Sequence, residues 1–229
     1  MQNSAEYRLL TEQTYRLALL QLQVGLQDPN WSADEVQLAL GGFQKKRPAI
    51  ILDCDETVLD NSAYNARRIK AGEPYTTESW NDWCKESKAT AIPGSLDFVR
   101  AAKGLGVKVF FVTNRRDVVK DATVENLVQL GFPANHGNVL TKNPSQGRGD
   151  DKLSRRATIA KSHRIVLLVG DGMGDLCSEM DSVNLEERNE VAKAKRTMLG
   201  SRWIMLPNPV YGGWQRALPA GERALKLGQ

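Results

Sequence analysis

The chain has 229 residues, 41% of them hydrophobic and 25% charged, with a formal net charge of +4. That length carries one substantial core with room for an inserted subdomain. The mild charge, with no arginine-rich tail, excludes a dedicated binder of nucleic acid polymers. No stretch approaches the length of a membrane span, and the three cysteines (Cys54, Cys84 and Cys177) lack metal-ligand spacing and are too few and odd in number for a complete disulfide framework.

In chain order, residues 5–26 place Leu9, Leu10, Leu17, Leu20 and Val24 at roughly helical spacing, which predicts an amphipathic helix ended by "DPN". Glu, Arg and Gln are mixed into its apolar positions, unlike a signal peptide. Ser32 reads as an N-cap, with Asp34 and Glu35 in the first turn of a short helix closed by Gly41 and Gly42. "PAIILD" follows as a strand buried on both faces. From Asn61 to about Ile92 the pattern turns aromatic and polar, with Tyr64, Tyr75, Trp80 and Trp83, and reads as an insertion over the sheet. "PGSLDFVRAAKGLG" is a helix closed by glycines, "VKVFFVT" a second buried strand, and "DVVKDATVENLVQLG" a helix with a glycine stop. "RIVLLVGD" and "RWIMLP" are the remaining strands.

This alternation predicts an α/β fold: a Rossmann-like, mostly parallel sheet flanked by helices, with a smaller, mostly helical cap. Residues 1–46 form N-terminal helices packing with the cap, 47–60 and 92–229 the core, and 61–91 the cap insertion.

Three strands end in suggestive chemistry: Asp53-Cys54-Asp55, Thr113-Asn114-Arg115 and Gly170-Asp171-Gly172. Open α/β sheets bind ligands at the carboxyl ends of their strands, so these clusters are expected to converge. Past the strand end the chain can turn, letting Asp53 and Asp55 reach a reacting centre from different sides. One carboxylate can attack phosphorus and form an aspartyl-phosphate. The other can protonate the departing alkoxide and later deprotonate water. Asp171 and Asp175 offer hard oxygen ligands for a cation such as Mg²⁺, Thr113 a hydroxyl donor, and Lys152 a positive charge. Each cluster alone also reads as a turn or helix cap, and Lys152 as one charge on a solvated helix face. Their order along the chain is what points to one phosphoryl-handling site.

"DCDET", "VTNR", Lys152 and "GDGMGD" resemble, in order, the four motifs of the haloacid dehalogenase (HAD) superfamily. "LDCDETVLDNSAYNA", "WNDWCKESKATAIPG", "DDKLSRR" and "LPNPVYGGW" tighten the resemblance to the class C acid phosphatases, the bacterial lipoprotein 5′-nucleotidase group, from about Arg47 to Trp214. The resemblance implies a Mg²⁺-dependent acid phosphatase acting on phosphomonoesters, nucleoside 5′-monophosphates among them. In it Asp53 is nucleophile and metal ligand, and Asp55 is general acid/base with its carbonyl on the metal. Thr113 and Lys152 hold phosphoryl oxygens with Asn114 nearby, Asp171 ligates the metal, and Asp175 supports it. Gly172 stands where the family pattern has asparagine, which loosens the metal loop or changes its support.

Trp80 and Tyr211 are expected to hold a nucleobase between them. The plainer reading packs both rings between insertion and sheet, with Trp83 and Trp214 as equally good core candidates. Cys54, Cys84 and Cys177 read as core packing. The alternatives are a sugar-phosphate phosphatase or phosphotransferase on the same fold, or a non-catalytic surface or storage protein like the plant vegetative storage proteins, which Asp53 argues against. The resemblance further implies a periplasmic or outer-membrane location and a homodimer. Any membrane attachment would run through a lipid anchor absent from this chain, since no cysteine precedes Cys54.

Overall fold

Residues 2–143, 152–177 and 184–218 are described by the computed structural model. Strands β1 (Arg47–Leu52), β4 (Lys108–Arg116), β5 (Val139–Lys142), β6 (His163–Gly170) and β7 (Trp203–Met205) form a parallel sheet in the order β5-β4-β1-β6-β7. Side chains alternate between the faces of a strand, and here both faces are covered. Ile50, Leu52, Phe111, Leu167 and Val169 enter one apolar cluster, while Ala49, Ile51, Val112, Ile165 and Leu168 enter the other. That double burial is why these strands read as unbroken apolar runs. The exception is β5, an edge strand of sequence VLTK that the sequence reading does not find.

Helix α1 (Ala5–Gln27) has the expected length but turns a different face inward. Tyr7, Thr11, Tyr15, Ala18, Leu22 and Gly25 are buried, whereas Leu9, Leu10, Leu17, Leu20 and Val24 face solvent. Close approach explains the inversion. A Cβ on Gly25 would lie 2.7 Å from both Trp31 Nε1 and Val166 Cγ1, so only a hydrogen fits between α1 and β6. The helix packs chiefly on α5 (Ser95–Gly104) and beside β6 and β7. The Tyr15 hydroxyl donates to the Thr57 carbonyl at 2.5 Å, tying α1 to the loop after β1.

Helix α2 (Glu35–Leu40) is capped by Asp34, which accepts from the Gln37 N–H at 2.9 Å, not by Ser32 as predicted. Ser32 instead accepts from Asp34 N–H and donates to Gln37 Oε1. The extended backbone of Asp34 (φ −93°, ψ 117°) makes it the residue that caps the helix.

The insertion comprises α3 (Ser62–Ala71) and α4 (Thr77–Lys85), flanked by the short antiparallel pair β2 (Leu59–Asp60) and β3 (Thr90–Ala91). Trp83 is core, as expected, but Trp214 is 38% exposed and is not. Helices α6 (Lys120–Gln129), α7 (Leu153–Ala160) and α8 (Met173–Leu176) pack on β5 and β6, and α9 (Leu185–Lys195) precedes β7. Among the described residues no helix is long and apolar enough to cross a membrane. All three cysteines are buried.

Candidate active site

Strands β4, β1 and β6 are neighbours, so their carboxyl ends meet at one rim of the sheet. Asp53 follows β1 directly, its N–H still bonded to the Val169 carbonyl at 2.9 Å. The chain then turns sharply. The Cys54 carbonyl accepts from the N–H groups of Thr57, Val58 and Leu59 at 3.3, 2.9 and 2.8 Å. Glu56 sits at φ 55°, a left-handed conformation that is costly for a residue with a Cβ. Its carboxylate, accepting from Asn61 N at 3.0 Å and Asn61 Nδ2 at 3.3 Å, holds the turn closed. The consequence is that Asp53 and Asp55 project into different surroundings.

Asp53 joins an acidic cluster. Its carboxylate and those of Asp171 and Asp175 each place an oxygen within 4.8 Å of the others. The Lys152 ammonium contacts Asp53 Oδ1 and lies 2.7 Å from Asp175 Oδ1. Thr57 Oγ1 lies 3.5 Å from Asp53 Oδ2 and 3.4 Å from Asp171 Oδ1. Asn208 Nδ2 donates to Asp171 Oδ2 at 2.7 Å. The Gly172 N–H donates to Asp175 Oδ2 at 2.9 Å, so the residue expected to loosen this loop contributes through its backbone.

Electrostatics mark the cluster as short of positive charge. Burial, then the neighbouring Asp175 and Asp55, push the Asp53 carboxyl up to about 7 despite the contact with Lys152. Burial and the charges of Asp175 and Asp53 also raise Asp171 well above the carboxylate range. Although burial pulls the other way, Asp175 and Asp53 hold the Lys152 ammonium above its usual range. One ammonium among three carboxylates is a partial stand-in for a cation. An all-oxygen donor set of this kind suits a hard divalent ion, and Asp53, Asp171 and Asp175 fit that role.

Asp55 faces the other way. Its Oδ1 accepts from Arg115 Nε at 2.9 Å and Asn61 Nδ2 at 3.0 Å, with Arg115 Nη2 2.8 Å away in the same ion pair. Among the described residues its Oδ2 accepts one longer bond, from Thr113 Oγ1 at 3.3 Å. Asn114 has an exposed side chain whose Oδ1 accepts from Arg155 Nη2 at 2.6 Å, and Arg155 Nη1 donates to the Thr113 carbonyl at 2.5 Å. Lys152 is 3% exposed, which removes the solvated-face reading. Its neighbours Asp150 and Asp151 lie outside the described residues.

Trp80 is half-buried, edge-on to Tyr64 at 5.1 Å and tilted against Tyr75 at 6.5 Å between ring centres. Tyr211 is half-buried in a turn that Asn208 Oδ1 organises by accepting from the N–H groups of Val210 and Tyr211 at 3.0 and 3.3 Å. Asn208 therefore links the Tyr211 turn to Asp171. Sequence reasoning assigned no chemistry to Thr57, Asn61, Arg115, Arg155 or Asn208. The available signal was their position inside or beside quoted motifs: "DCDET", "VTNR", "DDKLSRR" and "LPNPVYGGW".

Gly170 is fixed by the same geometry, since a Cβ there would lie 2.4 Å from Asp175 Cβ. Gly170→Ala is expected to displace Asp175 and weaken cation affinity roughly 10–100-fold, the usual effect of disturbing the groups behind metal ligands. Titrating activity against Mg²⁺ measures this directly; an unchanged half-saturation point would show that Asp175 does not support the cation.

The family described as HAD superfamily, subfamily IIIB (acid phosphatase) matches residues 5–214. The chain belongs to that family. The class C acid phosphatase from Bacillus anthracis is 34% identical, with a TM-score of 0.80 over 94% of this chain and 84% of that one. The same enzyme with tungstate bound aligns at 32% identity and TM-score 0.80, covering 98% of this chain and 89% of that one. Acid phosphatase 1 of Solanum lycopersicum is 29% identical over 72% of this chain and 59% of its own length. The stem 28 kDa glycoprotein of Glycine max is 25% identical over 72% of this chain and 60% of its own. This subfamily IIIB chain thus spans about 60% of the length of those curated relatives.

Proposed function

We propose that the chain is a Mg²⁺-dependent acid phosphatase that hydrolyses phosphomonoesters, including nucleoside 5′-monophosphates, through an aspartyl-phosphate on Asp53. The observation that carries this reading is the turn after β1, which sends Asp53 to the acidic cluster and Lys152 but Asp55 to Thr113 and Arg115. That separation is what a nucleophile and a proton carrier need. Membership of an acid phosphatase family and the likeness to a tungstate-bound class C acid phosphatase support it, tungstate being a tetrahedral oxyanion like phosphate.

In the first step an Asp53 oxygen forms a bond to phosphorus while the ester P–O bond breaks, and Asp55 gives a proton to the departing oxygen. In the second, Asp55 takes a proton from water as its oxygen attacks phosphorus, and the Asp53–phosphorus bond breaks to release phosphate. Thr113 and Lys152 hold the phosphoryl oxygens. Asp53, Asp171 and Asp175 would hold Mg²⁺, which would neutralise the charge that otherwise repels an anionic ester. Initial rates over a panel of nucleoside monophosphates, sugar phosphates and aryl phosphates test the substrate class; rates no higher than for the Asp53→Asn variant would defeat it.

Base recognition by Trp80 and Tyr211 belongs to this proposal. Stacking one base on an aromatic ring contributes about 1–3 kcal/mol. Tyr211→Ala should then raise KM for a nucleoside monophosphate by roughly ten-fold, while glycerol phosphate, which has no base, changes far less. Equal losses on both esters with a lowered Tm would make Tyr211 a packing residue. A periplasmic or outer-membrane location and a homodimer complete the proposal on the strength of the family resemblance. Cell fractionation and light scattering test them.

A further inference from the structure

We infer that Arg115 is a positioning residue for Asp55: it saturates Oδ1 and so makes Oδ2 the oxygen that carries the proton to and from the substrate. This rests on the reading of Asp55 as general acid/base. Arg115 is fully buried near the end of β4, one strand from Asp55, and its guanidinium sends Nε and Nη2 to the same carboxylate oxygen at 2.9 and 2.8 Å. Oδ1 thus accepts from Arg115 Nε and, at 3.0 Å, from Asn61 Nδ2, which fill its two lone-pair directions, while the Nη2 charge lies beside it. Oδ2 keeps one long bond, 3.3 Å from Thr113 Oγ1, which a substrate oxygen can replace.

The support behind the guanidinium is equally directed. The Arg115 peptide N–H donates to Thr113 Oγ1 at 3.0 Å, which turns the Thr113 proton toward Asp55. Arg115 Nη2 also donates to Asn61 Oδ1 at 3.2 Å, and Trp83 Nε1 reaches that oxygen at 2.8 Å, so the Asn61 amide is oriented by two donors. Arg115 Nη1 reaches Thr123 Oγ1 at 3.4 Å, and the guanidinium lies 5.5 Å from the centre of the Trp80 ring. Three insertion residues therefore bear on the proton carrier: Asn61 directly and through Arg115, Trp83 through Asn61, and Trp80 from beside the guanidinium. A buried ion pair is weak evidence of stabilisation in itself. The asymmetry between a saturated and an open oxygen is what points to positioning.

The test compares an alkyl phosphate, whose leaving oxygen must be protonated, with 4-nitrophenyl phosphate, whose leaving group needs little help. Rates are measured for the wild type, D55N, R115M, R115K and the D55N/R115M double variant. D55N should lose roughly 10²–10⁴-fold on the alkyl ester and markedly less on the aryl ester. R115M should follow that pattern with about 10²-fold on the alkyl ester, the scale of a misplaced catalytic group, and R115K should fall between it and the wild type. R115K retains the buried charge, so it carries the same comparison if R115M does not fold. The double variant should be no slower than D55N, because Arg115 acts only through Asp55. Equal arginine-variant losses on both esters, or losses that multiply in the double variant, would overturn the inference while leaving Asp55 in place. A D55N loss that ignores the leaving group would instead overturn the acid/base reading itself.

Discussion

Asp53→Asn is expected to abolish turnover of every phosphomonoester, by about 10⁴-fold or more, because the first bond to phosphorus is made by that carboxylate. The loss should not depend on the leaving group, which separates it from the loss at Asp55. Asparagine has nearly the same shape, and its amide oxygen can still accept from Lys152, which now contacts Asp53 Oδ1 and Asp175. The turn beyond it is held by the Cys54 carbonyl and by Glu56 with Asn61, none of which involves the Asp53 side chain. The variant should therefore melt close to the wild type while its kcat vanishes. Near-normal turnover would remove the covalent mechanism.

Chelation by EDTA should likewise abolish turnover, and Mg²⁺ should restore it. Asp53, Asp171 and Asp175 crowd oxygens within 4.8 Å, and burial, followed by the mutual repulsion, already holds Asp53 and Asp171 above the carboxylate range. An arriving phosphate ester adds further negative charge to the same point. Lys152 alone cannot neutralise both the carboxylates and the ester, and a divalent ion on the carboxylates leaves its ammonium for the phosphoryl oxygens. Binding of Mg²⁺ to the folded protein should also raise Tm, by mass action worth about 2.7 kcal/mol when the ion is at 100 times its Kd. Asp171→Asn should erase most of that shift. Full activity after rigorous metal removal would contradict the assignment of these ligands.

The strand ends were legible because each carries charge immediately after an apolar run: Asp53 after Ile50-Ile51-Leu52, Asp171 after Leu168-Val169-Gly170. Among the described residues, Asp53, Asp171 and Asp175 are the group of acidic side chains placed to hold a metal ion. The inward face of α1 was not legible, because docking there depends on Gly25 approaching β6 closely, whereas Leu9, Leu10, Leu17 and Leu20 stay in solvent. Hydrophobicity ranks those residues the wrong way round. β5 was missed because four residues with a Thr and a Lys give no apolar run, although Val139 and Thr141 are buried. Burial of Lys152 was hidden by its charged neighbours in sequence, which place it on a solvated face by composition alone. Arg115, Asn61 and Asn208 matter through partners 60, 6 and 37 residues away, a relation that only the fold reveals.

Trapping the covalent intermediate tests the central claim most directly. Acid-quenched samples of the wild type and of Asp55→Asn, taken during turnover of 4-nitrophenyl phosphate with Mg²⁺, are digested and their peptides weighed. The account predicts one added phosphoryl group on the peptide bearing Asp53, enriched in Asp55→Asn, where the water that releases it lacks its base, and absent from Asp53→Asn. Steady turnover with no adduct in any sample, or an adduct on a peptide without Asp53, would contradict it.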